Sequence, residues 1–435
     1  MNVSQSCAQA TEPTRVTRPG PEPHRAGWDP RRSSLFGFVV SAVTLLVLVG
    51  QAGAPSPLYP VYQAEWNLTP LLMTAVFAAY VLGIMLALTT AGSLSDHVGR
   101  RPVVVGAAVL AVIALLVFAT ATSVVALLIA RTIQGAGVGL ASGALGAALI
   151  DFQPENRPRL AATLNGALPP VALSIGALSS SALVQYAPAP TVTVFVMFGV
   201  LTFIVAALMF LLAERHEGRP GALSSLKPTV AIPAEVRPVF VAVVGCLGAS
   251  WALAGLYLGL GPTIVHNLLH LNNALASGLA IAAVTGTGAM TGLATQRFDA
   301  LKVLIVGAVA LIVGPMFTAF ALETGSVWGF YASSVIAGIG FGAAFQGGLR
   351  LVLAVAPPEG RAGLISSVYL VCYLAFGLPS IVAGLLVPFA GLLDVVLGYA
   401  AFVALMAATA LILQLALPRQ RVVEEFADAL DSFLS

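Results

Sequence analysis

Charged residues are scarce in this chain. Of its 435 residues, 9% are Asp, Glu, Lys or Arg and 58% are hydrophobic, and the mean hydropathy is +0.96. A soluble domain is about one-quarter charged, so the composition argues against an ordinary soluble protein and favours a membrane protein. The net charge of +2 gives no indication of a nucleic-acid partner.

Cysteine and metal-ligand patterns are also lacking. The three cysteines, Cys7, Cys246 and Cys372, have no motif spacing, and we interpret them as small apolar residues. His266 and His270 lie between two predicted spans and are interpreted as exposed loop residues, so we expect no metal and no cofactor. The apolar stretches contain no HExxH, paired Asp or Ser/His constellation, and the chain is therefore predicted not to be an enzyme.

Long apolar stretches make up most of the chain. Twelve of them reach about the 20 residues that a membrane-spanning helix needs. They cover residues 35–54, 71–91, 102–121, 124–150, 160–185, 190–213, 239–262, 274–295, 302–322, 327–356, 363–390 and 393–417. Runs of this length exclude the short alternating strands of a transmembrane barrel. The predicted fold class is an all-α membrane protein with 12 transmembrane helices in the lipid bilayer.

The basic residues predict the orientation. Eighteen of the 20 Lys and Arg residues fall in the tails or in alternate loops, and the other loops hold none. Since basic residues stay on the cytoplasmic side, we predict a multi-pass protein of the cytoplasmic (inner) membrane with both termini cytoplasmic. Residues 1–34 are rich in Pro and Arg without an apolar run, which predicts a disordered tail and no signal peptide. The two remaining basic residues, Arg131 and Arg350, fall inside predicted helices 4 and 10.

The second half of the sequence repeats features of the first after about 200 residues. GAGVG at 135–139 corresponds to GIGFG at 338–342, and PENR at 154–157 corresponds to PEGR at 358–361. We predict two six-helix halves of common origin, an architecture that transporters use. The predicted divisions are a cytoplasmic N-terminal tail at 1–34 and a first half at 35–213, followed by a cytoplasmic linker at 214–238. A second half at 239–417 and a cytoplasmic C-terminal tail at 418–435 complete the chain.

The densest polar cluster is GSLSDHVGRRP, residues 92–102, between predicted helices 2 and 3. Glycine at 92 permits a close helix approach, glycine at 99 permits a tight turn, and the acid can accept charge-assisted hydrogen bonds. Together with the repeat, this spacing makes the sequence resemble the major facilitator superfamily. The loop signature of that family is Gly-x-x-x-Asp-Arg/Lys-x-Gly-Arg-Arg/Lys. The matching residues are Gly92, Asp96, Gly99, Arg100 and Arg101, and His97 departs from the pattern.

The resemblance implies a fold and a role for this loop. The fold is two pseudo-symmetric six-helix bundles, the MFS fold, and the loop latches them together on the cytoplasmic side while the protein faces outward. Asp151, at the inner end of predicted helix 4, is then the expected partner of Arg100. The alternative is that the two arginines only anchor the topology.

A second motif, RTIQGAGVGLASG at 131–143, resembles the family's helix-4 motif. Arg131 and Gln134 share a helical face, and Gly135 and Gly139 have the spacing of close helix packing. A charge near the middle of the membrane costs about 2.5–3.5 kcal/mol, so we expect Arg131 to face a cavity or a partner. The resemblance associates this arginine with proton coupling or substrate handling, and a structural role is the alternative.

In the resembled family, helices 1, 4, 7 and 10 line a central cavity. The polar and aromatic candidates for substrate contact on these helices are Gln51, Arg131, Gln134, Trp251, Tyr257, Gln346 and Arg350. Tyr369 and Tyr373 form a further pair on helix 11. Ordinary interhelical packing is the alternative for each of these residues except Arg350, which could instead extend to the cytoplasmic interface. None of the 18 acids lies deep in a predicted span, so we expect a neutral, amphipathic or anionic small-molecule substrate, and not a simple cation.

These patterns predict a monomeric secondary transporter that works by alternating access. Export of small organic molecules or drugs is the first interpretation, with proton antiport as one coupling scheme. The stretch at 176–181, Gly-Ala-Leu-Ser-Ser-Ser, lacks the proline of the family's antiporter motif. The missing embedded acids weaken the same interpretation. The alternatives are metabolite uptake by symport or facilitated diffusion, and more remotely a membrane scaffold or sensor without transport.

Overall fold

The structure, a computed structural model, describes residues 30–92, 94–212, 214, 231–357 and 361–416. Most of the two predicted tails and of the predicted linker lies outside these residues. Within the described ranges all regular secondary structure is helical. The α-helices are α1 (Pro30–Gly53), α2 (Tyr59–Trp66), α3 (Pro70–Ala91), α4 (Leu94–Val98), α5 (Arg100–Ala119), α6 (Val124–Asp151), α7 (Leu160–Tyr186), α8 (Pro190–Leu211), α9 (Arg237–Gly259), α10 (Gly261–Asn267), α11 (Ala274–Ala294), α12 (Ala300–Glu323), α13 (Val327–Ala354), α14 (Arg361–Ala390) and α15 (Leu392–Ala416).

The prediction of twelve spans is confirmed. Among the described residues, twelve helices are long and apolar enough to cross a membrane. They correspond in order to the twelve predicted stretches, with α4 as a separate short helix before the third. Following the predicted orientation, we call the membrane face that holds the start of α1 the inner face and the opposite face the outer face.

The first and seventh spans are interrupted near the outer face. After Gly53 the chain forms a 3-10 turn, Ser56–Leu58, and continues as α2, and after Gly259 it continues as α10. Prolines at 55, 57 and 262 lie at these breaks, and each lacks the backbone N–H that would continue a regular helix. Pro57 and Pro262 thus lie in corresponding places, after the first span of each half, and a short outer helix follows each break.

The hydrophobic core divides into two clusters. One is built almost entirely from α1 to α8 and the other from α9 to α15. The two bundles meet where α7 packs on α11 and where α3 packs on α14. This is the two-bundle arrangement of the predicted fold class, and it places a boundary between bundles along the middle of the molecule.

Candidate functional site

The loop between α3 and α5 folds as a compact turn around Arg100. Gly99 has a φ of 106°, a conformation that favours glycine, as the tight turn predicts. The guanidinium of Arg100 donates to the Ser95 hydroxyl at 2.8 Å and to the Asp96 carboxylate. It also donates to Asp151 Oδ2 at 3.4 Å, so the expected Arg100–Asp151 contact is present. The close approach expected at Gly92 is to α6, because its carbonyl oxygen lies 3.4 Å from the Cβ position of Gly143.

Arg101 has a different set of partners that the sequence did not indicate. Its backbone N–H donates to Glu214 Oε2 at 2.8 Å, and its guanidinium lies 4.2 Å from the centre of the Phe210 ring. Glu214 thus caps the start of α5, where backbone N–H groups are otherwise unpaired. A separation of 113 residues leaves no local spacing from which this contact could be predicted.

Arg131 lies in a buried polar cluster at the outer end of the first bundle. Its side chain is 1% exposed. The guanidinium donates to the backbone carbonyl of Ala52 at 3.0 Å, to Gln134 Oε1 at 2.9 Å and to the hydroxyl of Tyr59. It also lies 5.6 Å from the centre of the Tyr80 ring. All these partners are neutral, and among the described residues no carboxylate contacts this guanidinium.

The cluster caps the broken end of α1. Gln134 Nε2 donates to the carbonyl of Gln51 at 3.0 Å, beside the bond from Arg131 to Ala52. The hydroxyl of Ser180 on α7 donates to the carbonyl of Ala54 at 2.6 Å. Carbonyls at the end of a helix lack intrahelical donors and carry the negative end of the helix dipole. The arginine therefore compensates these carbonyls, which explains how a cation is accommodated without a carboxylate.

Gly135 and Gly139 serve helix packing in this structure. A Cβ at Gly135 would overlap the carbonyl oxygen of Tyr80 on α3, and one at Gly139 would lie 2.7 Å from the Cβ of Ala87. In the second bundle, Gly342 packs against Gly288 of α11 with the same lack of space. The repeated glycine motif thus places α6 on α3 and α13 on α11 at close range.

The second bundle has no charge at the position equivalent to Arg131. A shift of 203 residues places Ser334 there, and its hydroxyl lies 2.9 Å from the hydroxyl of Tyr257. Tyr257 is buried in the core of the second bundle, with Thr318 as a second neighbour at 3.4 Å. The structure therefore places Tyr257 away from the boundary between the bundles.

Arg350 also caps a helix end, at the inner face. Its guanidinium donates to the carbonyl of Phe298 at 2.9 Å and to that of Thr295 at 3.4 Å, just after α11. Arg131 and Arg350 therefore lie at opposite ends of the molecule and do not form a joint site.

An aromatic cluster occupies the boundary between the bundles near the middle of the membrane. Trp251 of α9 lies at its centre, with ring-centre distances of 4.7 Å to Tyr373, 5.7 Å to Phe345 and 5.7 Å to Phe376. Phe376 contacts the first bundle through Phe77 of α3 at 4.9 Å. Tyr369, at 6.1 Å from Trp251, completes the cluster. The sequence indicated Trp251 and the two tyrosines but not the two phenylalanines, whose role depends on helix rotation.

Three of the predicted candidates carry buried polar atoms without partners. The indole Nε1 of Trp251, both side-chain amide atoms of Gln51 and the Nε of Arg131 are buried and make no hydrogen bond. Buried polar groups are normally paired, because an unpaired one costs about 1–3 kcal/mol. A ligand or water that supplies these missing bonds would be favoured at any of these residues.

Hydrogen bonds join the bundles along α7 and α11. Ser174 and Thr285 lie 2.7 Å apart near the middle, and the Thr163 hydroxyl donates to Gln296 Oε1 at 3.1 Å at the inner face. Gln346 of α13 lies beside them, its Nε2 2.7 Å from the Cβ position of Gly166. Gln346 is therefore at the boundary between the bundles, and its contact with substrate stays a prediction.

The outer ends of the bundles are also in contact. Thr263 of α10 donates to Gln63 Oε1 of α2 at 3.4 Å, and Gly384 of α14 packs directly on the side chain of Thr74 of α3. The structure is therefore closed at the outer face along α2–α10 and α3–α14.

Acidic residues in the described part of the chain lie at helix ends and in loops, and no group there could hold a metal ion.

The sequence model of the Major Facilitator Superfamily matches residues 40–295, more than half of the chain. The chain belongs to the major facilitator superfamily. It is accordingly a transporter by family, and the two six-helix bundles are the fold of that superfamily.

One curated relative of this MFS chain is named as a multidrug resistance protein. The multidrug resistance protein MdtL of Citrobacter koseri is 32% identical over 124 residues, which is 28% of this chain and 32% of that protein. The match thus spans about one-third of the relative's length.

Solved structures match over nearly the whole chain but at low identity. The nucleoside transporter NupG aligns with a TM-score of 0.68 at 14% identity, covering 88% of this chain and 99% of the other. The xylose transporter XylE from E. coli, in a partially occluded inward-open conformation, gives a TM-score of 0.67 at 16% identity, covering 87% and 97%. These likenesses show the fold.

Proposed function

We propose that this MFS transporter carries a small organic molecule by alternating access, with its substrate site at the aromatic cluster around Trp251. The cluster lies between the bundles near the middle of the membrane, where transporters built from repeats bind their substrates. The unpaired indole Nε1 of Trp251 is the single observation that carries this assignment. A buried donor with no partner is an available bond for a substrate acceptor.

The surroundings favour a particular substrate class. The rings around Trp251 offer apolar faces and edges to a flat or amphipathic molecule. The Tyr80 ring of α3 lies 5.6 Å from the Arg131 guanidinium, and α3 packs on α14, which carries Tyr373, so a polar end of the substrate could reach toward the Arg131 cluster. With no described acid in the middle of a span, the site suits neutral, amphipathic or anionic molecules and disfavours simple cations.

Export is the direction we favour. The helix-4 motif at Arg131 and Gln134 supports it, and the partial relative MdtL is named a multidrug resistance protein. If the export is driven by protons, we assign the coupling to Asp96 and Asp151, since both accept hydrogen bonds from Arg100. We assign the Arg100 turn to the latch that holds the inner face closed in the outward-facing state, and we place both termini in the cytoplasm and the protein in the inner membrane as a monomer.

Uptake of a metabolite is the second candidate. Two observations favour it: the stretch at 176–181 lacks the antiporter proline, and the same fold serves a nucleoside transporter and a xylose transporter. In this version transport runs by symport or by facilitated diffusion, around the same aromatic cluster.

A growth screen tests both the site and the direction. A deletion strain complemented with wild type, Trp251→Ala or Trp328→Ala is grown against toxic compounds and on single carbon sources. Trp328 is 86% exposed on the outside of the bundle, so it controls for loss of a tryptophan as such. We expect Trp251→Ala to reproduce the deletion phenotype and Trp328→Ala to behave as wild type at equal membrane levels.

The kind of phenotype decides the direction. Lost resistance indicates export, and lost growth on a nutrient indicates uptake. Proton flux in proteoliposomes with the solute so identified then decides the coupling. Full activity of Trp251→Ala would show that the aromatic cluster is not the substrate site.

A further inference from the structure

A groove opens at the inner face between the start of α9 and the end of α15. It has a volume of about 470 Å³ and is lined by Arg237, Pro238, Val241, Ala242, Leu413 and Ala416. All the lining residues except Arg237 are apolar. The groove is thus an apolar channel along the outside of the second bundle with one cation at its inner end.

The cation in this groove is available for a ligand. Arg237 is exposed, and among the described residues no hydrogen bond or ion pair reaches its guanidinium. The nearest acid in sequence, Glu235, is itself exposed and makes no ion pair with it. An exposed arginine beside apolar surface offers charge at one end and apolar contact along the rest of the groove.

A second groove in the same molecule contains an arginine that already has protein partners. It has a volume of about 300 Å³, lies at the start of α5, and is lined by Arg101, Pro102, Val105, Phe210 and Glu214. Both grooves begin with an Arg-Pro pair at the start of a spanning helix. In the second groove the Phe210 ring covers the guanidinium and an acid lies within the lining, so that an anion would be repelled there.

We propose that the groove between α9 and α15 binds an anionic phospholipid of the inner leaflet, with the lipid phosphate on Arg237 and an acyl chain along Val241 and Leu413. Basic pockets between spanning helices on the cytoplasmic side bind anionic headgroups, and a basic residue at that surface attracts anionic lipid. A phosphate and a guanidinium form charge-assisted hydrogen bonds, and the apolar walls match an acyl chain. The groove at Arg101 has no such preference.

The test uses the full-length protein in detergent with phosphatidylglycerol or phosphatidylcholine of identical acyl chains. Native mass spectrometry measures how much of each lipid stays bound to wild type, Arg237→Gln, Arg237→Lys and Arg297→Gln. Arg297 is an exposed loop arginine, also on the inner face and outside the groove, so its variant controls for loss of surface charge. We expect wild type and Arg297→Gln to prefer phosphatidylglycerol, and Arg237→Gln to bind it about fivefold more weakly. Arg237→Lys should keep most of the preference.

Three outcomes would overturn the proposal. Equal losses in Arg237→Gln and Arg297→Gln would show that the effect is one of general surface charge. No preference in wild type, before or after removal of residues 420–435, would show that the groove does not bind anionic lipid. The third concerns the segment after Ala416, at the end of the groove. If wild type shows no preference for phosphatidylglycerol and removal of residues 420–435 creates one, that segment and not lipid occupies the groove in the full-length protein. The melting temperature of each variant, measured without added lipid, shows that the variants are folded.

Discussion

Arg131 and Arg350 show how single charged residues are accommodated within predicted spans. Each donates to backbone carbonyls at the end of a neighbouring helix, Arg131 to Ala52 and Arg350 to Phe298. The burial of Arg131 was expected from its position in the sequence, and so was its need for a partner. The partner itself could not be predicted, because the freed carbonyls exist only where α1 breaks, 79 residues away.

Replacing Arg131 with Gln should destabilise the protein more than the equivalent change in the second bundle. The variant leaves the Ala52 carbonyl and the Tyr59 hydroxyl without a buried donor, which costs about 1–3 kcal/mol. Ser334→Ala removes one hydroxyl from the equivalent position and should lower the melting temperature less. Thermal unfolding in detergent measures both, and equal melting temperatures for Arg131→Gln and wild type would contradict the capping role.

Whether the other contacts between residues could be predicted depends on whether a sequence motif marks both partners. The Arg100–Asp151 contact was predicted, because the resemblance supplied both positions. Glu214 capping α5 was missed, since no motif marks it and 113 residues separate it from Arg101. The aromatic cluster was predicted in part: the sequence marks Trp251, Tyr369 and Tyr373, but the rotation that turns the neighbouring phenylalanines toward them is set by helix packing.

The helices themselves were predictable because apolar length decides them. All twelve predicted spans occur among the described residues, and the departures lie at the outer ends of the first and seventh. The predicted spans there stop at residues 54 and 262, whereas the chain continues as α2 and α10. A proline predicts an interruption, but whether helix resumes after it depends on contacts such as Gln63–Thr263 between the two short helices.

Close packing between α1 and α7 gives a prediction at the scale of elements. A Cβ at Gly176 would overlap the carbonyl oxygen of Gly50, so Gly176→Ala forces the two helices apart at a cost of about 1–3 kcal/mol or more. Gly199 of α8 has nothing within 4 Å of its Cβ position, and Gly199→Ala is the matched control. We expect a lower melting temperature and lower membrane yield for Gly176→Ala alone. Wild-type stability in that variant would show that α1 and α7 are not packed as described.

On the scale of the whole molecule, two cores meet along a boundary that is hydrogen-bonded at several depths. Ser174–Thr285 holds the middle, Thr163–Gln296 the inner face and Gln63–Thr263 the outer face. Alternating access requires that the outer contact opens while the bundles stay intact. The sequence repeat predicted the two bundles, but the closed outer face is one state among at least two that the mechanism needs, and a sequence does not specify which is populated.

The most direct test is the distance between the outer ends of α2 and α10. Spin labels at Glu65→Cys and Asn267→Cys, two exposed positions near the ends of these helices that leave the Gln63–Thr263 contact intact, report this distance by pulsed electron paramagnetic resonance in nanodiscs. The native cysteines at 7, 246 and 372 are replaced by alanine. We expect two populations, one at the distance of this structure and one with the ends separated. Arg100→Ala should shift the balance toward contact, because we assign Arg100 to the proposed latch of the outward-facing state. A single short distance, unchanged in Arg100→Ala, would contradict alternating access in this protein.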